Sequence, residues 1–312
     1  MIKRNLKQYL SVTLRGIAMG AADVVPGVSG GTIAFVTGIY EELIDSIKSI
    51  NLESGKVLLK EGIPAFWQKI NGNFLISLFA GIAISVLSLA KAITWMLDNQ
   101  PIMIWSFFFG LILSSSYFVA KKITKVDAVV SVMFIVGAAI AFYITVAAPS
   151  QTPDTLLFVF FSGFIAICAM ILPGISGSFI LLLLGKYYFI MDSIKGFKIS
   201  VILVFILGCL LGITSFSRVI SWLFHKFHNA TIALLTGFMV GSLNKVWPWK
   251  EVLEFRINSH GKNVPFLEKS ILPSQYAELS GDPRLVTAII ALLVGAGVII
   301  LFETWANKTD NV

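Results

Sequence analysis

Pro26-Gly27-Val28-Ser29-Gly30 recurs as Pro173-Gly174-Ile175-Ser176-Gly177, each time inside an otherwise apolar stretch. Proline and glycine are the residues least suited to a helix interior, costing about 3 and about 1 kcal/mol relative to alanine. In lipid, a broken helix frees N–H and C=O groups that persist only where protein or a water-filled cavity satisfies them. Two apolar segments broken in the same way therefore mark a built feature. Paired breaks in the two halves of a membrane protein point to a transporter's binding site.

The sequence around the breaks shows two copies of one unit. At an offset of 147 residues, thirteen of the 33 positions in Gly16–Lys48 and Gly163–Lys195 are identical. They include Gly38/Gly185, Tyr40/Tyr187 and the closing tetrapeptides Asp45–Lys48 and Asp192–Lys195. The next helices match at an offset of 127, pairing Gly81 with Gly208, Lys91 with Arg218, Trp95 with Trp222 and Gly110 with Gly237. A last helix aligns Val136-Gly137-Ala138 with Val294-Gly295-Ala296. The chain is thus read as one fused duplication.

Composition sets the class. Of 312 residues, 56% are hydrophobic and 13% charged, against about 25% charged in soluble domains. Apolar stretches at 74–90, 102–120, 128–148, 156–185, 199–224, 231–243 and 285–302 run near or beyond the ~18 residues that suggest a membrane span. The expected class is an all-α polytopic membrane protein. The net charge of +7 is spread over short loops, which suits anionic lipid headgroups and argues against nucleic acid. Cys168 and Cys209 lie in apolar stretches without ligand spacing, and His225, His228 and His260 lie in polar connections. No metal site and no cofactor are expected. The basic start (Lys3, Arg4, Lys7) runs into the first break without a small-residue cleavage site, which reads as a surface amphipathic segment and not a cleaved signal.

Each unit reads as a broken segment followed by three spanning helices. If the broken segment dips in and returns, each unit crosses three times and the second copy is inverted; if it spans, the copies are parallel. In the first half, 48–69 and Lys121, Lys122 and Lys125 fall on one side, while 98–101 and 149–154 carry no base. That fits a re-entrant hairpin with a cytoplasmic N-terminus. The connection 245–284 has six bases against five acids and votes weakly the other way. The arms 12–25 and 32–40 are also short for spanning alone. The expectation is an inverted repeat. Residues 1–150 form the first unit, with a hairpin at about 12–46 and helices at about 73–97, 101–121 and 126–148. Residues 151–312 form the second, with a hairpin at about 156–194 and helices at about 199–224, 229–247 and 284–306.

At each break a half-helix ends and another begins with small and hydroxylated residues: Ser29-Gly30-Gly31-Thr32 and Ser176-Gly177-Ser178. Helix N-termini present unpaired N–H groups and a partial positive charge, and hydroxyls add donors. Two such ends meeting near the midplane would hold a phosphate-like anion. The competing reading is mechanical, since small residues and kinks also serve close helix packing. The candidate binding residues are Pro26, Gly27, Ser29, Gly30, Gly31, Thr32, Pro173, Gly174, Ser176, Gly177 and Ser178.

The copies differ in their charges. Asp23, Arg15 and Glu41 stand where the second copy has Met170, Ser162 and Tyr188. Ionisable residues in membrane segments are functional candidates by default. Asp23 is a candidate for coupling to H⁺ or Na⁺; alternatively it caps the broken helix or pairs with Arg15. Arg15 and Glu41 are read as coupling or headgroup charges, or as markers of the membrane interface. Lys91 and Arg218, each four residues before a tryptophan, read as interface anchors or as recruiters of an anionic headgroup. Trp247-Pro248-Trp249 reads as an interfacial aromatic belt.

The run from Gly20 through Asp23, Pro26, Gly27, Ser29, Gly30, Gly31 and Thr32, continuing to Gly38-Ile39-Tyr40-Glu41, resembles the signature of the DUF368 family, as does Leu172–Ser178 with Gly185-Lys186-Tyr187. The resemblance covers essentially the whole chain. It implies two re-entrant helices and a non-enzymatic role as a bacterial polyprenyl-phosphate transporter. Such proteins return undecaprenyl phosphate from the outer to the inner leaflet of the cytoplasmic membrane for cell-wall synthesis. The implied partners are the lipid and the bilayer, with homodimerisation left open. The rival enzyme is a membrane-embedded undecaprenyl-diphosphate phosphatase, which uses a Pro-Gly-x-Ser turn followed by arginine; here Gly30 and Gly177 stand in that place. A carrier of another organic or inorganic anion is the third reading.

Overall fold

The computed structural model describes residues 4–25, 27–150, 152–257 and 263–309. Helix α1 (Leu6–Asp23) starts at an Asn5 capping box closed by Gln8 and ends at the first break. Helix α2 (Gly30–Val36) is buried along its whole length, and α3 (Tyr40–Lys48) returns from it. Two short helices, α4 (Leu52–Glu61) and α5 (Ile63–Lys69), lead to the long helices of the first half. These are α6 (Gly72–Asn99), α7 (Pro101–Ala120) and α8 (Ala128–Val146). Proline opens α7, where its missing N–H costs nothing, and the Asp127 side chain caps α8.

The second half repeats the order. Helix α9 (Leu156–Ile171) ends at the second break, and α10 (Gly177–Leu183) and α11 (Tyr187–Lys195) follow at a bend of 106°. Then come α12 (Ile199–Lys226) and α13 (His228–Ser242). Two strands follow, β1 (Lys250–Ile257) and β2 (Asn263–Ser270), then α14 (Pro273–Ser280) and α15 (Leu285–Thr309).

Among the described residues, α6, α7, α8, α12 and α15 are long and apolar enough to cross a membrane, and α10 with α11 makes a sixth if counted as one broken span. Only 17% of the apolar window of α8 is buried inside the protein. An apolar helix exposed on most of its surface has lipid as its solvent, so the protein is a multi-pass membrane protein of all-α class. The antiparallel hairpin β1–β2 is a small addition to that class, in the connection that carried no structural expectation.

The helices pair as α1 with α6, α9 with α12, α7 with α15 and α8 with α13. The close approaches repeat between the halves. A side chain at Gly81 would collide with the Thr13 carbonyl, and one at Gly208 with the Phe160 carbonyl. Likewise Gly110 faces the Leu292 carbonyl and Gly237 the Phe134 carbonyl. Small residues let membrane helices approach this closely. Helix ends are tied in two groups. Arg284 donates to Gln100 at 2.8 Å, joining the starts of α7 and α15. The Thr124 N–H donates to Asn229 at 3.2 Å, joining the starts of α8 and α13.

The tryptophans at 247 and 249 turn their indole N–H groups into the protein. The Trp247 indole donates to the Ile271 carbonyl and the Trp249 indole to the Pro283 carbonyl. Trp249 packs with Ile102, Ile271 and Ala288. They fasten the β-hairpin and α14 to the helices, because a buried indole N–H needs a partner that lipid cannot offer.

Candidate functional site

The two breaks touch each other. The Ser29 hydroxyl lies 3.3 Å from the Met170 carbonyl and 3.4 Å from that of Leu172, as donor. In return the Gly174 N–H donates to the Thr32 hydroxyl at 2.9 Å, 142 residues away in sequence. Gly27 and Gly174 hold the same left-handed conformation, φ +91° and +84°, which glycine adopts without the Cβ penalty of other residues. Both also lie against the end of α13. A Cβ at Gly174 would come within 2.6 Å of the Ser242 hydroxyl, and one at Gly27 within 2.5 Å of the Lys245 side chain.

The first break is closed by its own side chains. The Gly30 N–H donates to Asp23 at 2.6 Å, and the Gly31 N–H to the Ser29 hydroxyl at 3.1 Å. Asp23 thus takes the capping geometry named among its alternatives. At the second break no side chain among the described residues caps α10. The Ser176 and Ser178 hydroxyls face each other at 2.8 Å, and Pro173 and Gly177 are buried beside them. Pro26 lies outside the described residues.

A small cavity of about 10 Å³ lies where the breaks meet, lined by Gly27, Gly174, Ser176, Phe179, Thr145 and Lys245 among others. Lys245 is the charged residue among its described lining. It follows α13 in a turn, and its ammonium sits 4.7 Å from the centre of the Phe179 ring. The same ammonium lies 3.5 Å from Glu268 of β2, which also pairs with Lys250 at 3.6 Å. Burial pushes the Lys250 ammonium down to about 8 against the opposing pull of Glu268. Burial alone would raise Glu268, but the charges of Lys250 and Lys245 outweigh it and hold the carboxyl below its ordinary range. On another flank of α13, a largely apolar groove of about 490 Å³ is lined by Gly110, Leu113, Tyr117, Phe134, Thr236 and Val240 among others.

The remaining sequence candidates lie apart from this cavity. Arg15 is buried inside α1, two turns before Asp23. Glu41 is exposed on the first turn of α3, where the helix dipole favours a carboxylate. Lys91 and Arg218 are exposed on α6 and α12, each beside a half-exposed tryptophan, Trp95 or Trp222. Lys245, Lys250 and Glu268 are absent from the sequence-based candidates. A lysine directly after an apolar helix was the available signal, but its counterpart at offset 127 is Phe118, so comparison of the repeats passes over it.

The family model described as "VCA0040-like: Undecaprenyl phosphate translocase-like" matches residues 19–264. A Vibrio cholerae protein named polyprenyl-phosphate transporter is 47% identical over 301 residues, covering 96% of this chain and 98% of the relative. A Staphylococcus aureus protein of the same name is 34% identical over 253 residues, covering 75% of this chain and 85% of the relative. No solved structure matches the chain. The matched region includes both Pro-Gly-x-Ser-Gly breaks and the Lys245 turn, and the chain belongs to the VCA0040-like (DUF368) family.

Proposed function

We propose that this protein transports polyprenyl phosphate, moving undecaprenyl phosphate from the outer to the inner leaflet of the cytoplasmic membrane, with the phosphate held where the two breaks meet. Relatives named polyprenyl-phosphate transporter support the lipid class. The site assignment rests on one observation: Gly27 of the first break, Gly174 and Ser176 of the second and the Lys245 side chain line one small cavity.

The physical problem in such transport is the head. An unpaired charge in a low-dielectric core costs far more than any single hydrogen bond returns. An undecaprenyl tail has no such difficulty and stays in lipid. Hydroxyls and an ammonium at the breaks offset the loss of water around the phosphate. The apolar groove beside α13 offers the tail a lateral path.

Alternating access follows if the units are inverted repeats that rock against each other. Support comes from the tied helix ends. The equivalent helices α7 and α13 start in different groups, one with α15 and the other with α8, and α7 and α8 are antiparallel neighbours in sequence. Asp23, Arg15 and Glu41, the charges that the first copy alone carries, are the candidates for coupling to H⁺ or Na⁺ or for headgroup charge.

The test is surface undecaprenyl phosphate, read with a headgroup-specific antibiotic, in cells lacking this protein and redundant transporters. Accumulation that wild-type protein reverses and Ser29→Trp does not is the expected result. Unchanged surface lipid on removal overturns the reading.

A further inference from the structure

We propose that Glu268 is a built-in stand-in for the phosphate. It holds Lys245 in the resting protein, and an arriving phosphate head must take Lys245 from it. The proposal rests on the binding site described under the proposed function and adds the residue that recognises the charge and the residue that competes for it.

Three observations carry it. First, the Lys245 side chain crosses Gly27 of one break and reaches Phe179 beyond the other. A cation so placed serves both breaks at once. Second, two ammoniums, Lys245 and Lys250, share one carboxylate. Two positive charges less one negative leave one positive charge in excess. Lys250 is fixed: it is 8% exposed, stacks 4.1 Å above the centre of the Trp105 ring and donates to the Lys245 carbonyl at 2.8 Å. Lys245 is therefore the ammonium that can change partner. A phosphate monoester offers one more acceptor oxygen than a carboxylate, and Ser176, whose hydroxyl is bonded to that of Ser178, lines the cavity with Lys245.

Third, the cavity of about 10 Å³ has room for roughly one water, so a phosphate enters only when something withdraws. Glu268 sits on the element best suited to withdraw. Its hairpin lies outside the helix pairs, and the strand register slips opposite it, between Val252 and Glu254. Such bulges re-aim side chains. Ser270 and Trp247 anchor the hairpin's base through Asn244 and Ile271, so the strand can shift Glu268 without detaching.

The chemistry fits a lipid phosphate or inorganic phosphate, and the experiment separates them. Full-length protein in nanodiscs is titrated with polyprenyl phosphate, and separately with inorganic phosphate, following tryptophan fluorescence from Trp247 and Trp249 at the hairpin base. Glu268→Gln should tighten phosphate binding about tenfold, and Lys245→Gln should weaken it at least tenfold. The double variant should bind as weakly as Lys245→Gln. A response to the lipid alone assigns the source as a headgroup with its tail; equal responses assign phosphate in general.

A merely structural ion pair gives the opposite pattern. Both single variants then lose melting temperature and binding, and the double variant regains both, which overturns the proposal. Unchanged or weakened binding in Glu268→Gln, with wild-type protein binding normally, overturns it too and leaves the transport site standing. Wild-type protein that binds neither ligand defeats the transport site itself and this inference with it. If Glu268→Gln melts too early to titrate, Glu268→Asp retracts the carboxylate by one methylene and should also tighten binding; an unchanged affinity there counts against the proposal.

Discussion

The first and second breaks share a backbone and differ in what fills them. In the first, Asp23 supplies a carboxylate to the Gly30 N–H and Ser29 caps Gly31. In the second, Met170 stands at the Asp23 position, no side chain among the described residues caps α10, and the Ser176 hydroxyl, bonded to Ser178, lines the cavity. One copy carries its own anion; the other does not. On the proposed reading, duplication gave two equivalent breaks, and divergence made the first an anchor and the second a receptor.

A substitution that makes the halves alike should have the largest effect. Met170 lies against Gly177 much as Asp23 lies against Gly30: a Cβ at Gly177 would be 3.3 Å from the Met170 Cβ. Met170→Asp places a carboxylate where the second half-helix begins. It should abolish transport, measured as surface accumulation of undecaprenyl phosphate, with the protein still inserted. Wild-type transport in this variant would mean that the second break takes no anion.

Asp23 variants separate capping from charge. Asp23→Ala removes the acceptor for Gly30, so it should lower stability by about 1–2 kcal/mol and abolish transport. Asp23→Asn keeps an acceptor, so it should melt near wild type. Transport lost in Asp23→Asn assigns the charge to coupling; transport retained reduces Asp23 to a cap.

The glycines give a smaller, graded effect. Gly174→Ala and Gly27→Ala both force a Cβ into left-handed backbone, at about 1–2 kcal/mol each. Gly174 should cost more. Its Cβ would also press on the Phe238 carbonyl at 2.9 Å and on Ser242, whereas Gly27 meets only the flexible Lys245 side chain among its near contacts. Thermal melting in detergent checks the order, and equal losses would mean that packing against α13 is looser than these distances imply.

How much of this was readable beforehand follows from where the information lies. The membrane class and the place of both breaks are written locally, in apolar length and in Pro-Gly punctuation, and the family signature sits on the same residues. The asymmetry of Asp23 and Met170 is also visible, because repeats can be compared position by position. The meeting of Thr32 with Gly174 is not local: it joins residues 142 apart, and either residue alone looks like ordinary break chemistry. Lys245 escaped for a different reason. Its value comes from passing over Gly27, and neither its neighbours nor Phe118 in the other copy signals that approach. The strand pattern Leu253-Glu254-Phe255-Arg256-Ile257 alternates as a strand should, but a mixed-charge connection gave no hint of what it would pack against.

The smallest expected effect concerns the charges that the repeats do share. Lys91 and Arg218 match in position, yet both are exposed beside half-exposed tryptophans and away from the breaks. A long cationic side chain near a helix end reaches the headgroup region and keeps its charge in water. Removing it alters no buried contact. Lys91→Gln and Arg218→Gln should therefore shift stability by about 0.5 kcal/mol or less and leave transport within about twofold of wild type. A larger loss confined to transport, with melting unchanged, would make the shared outer charges part of headgroup recruitment. The difference between the two breaks would then set where the phosphate rests, and not how it arrives.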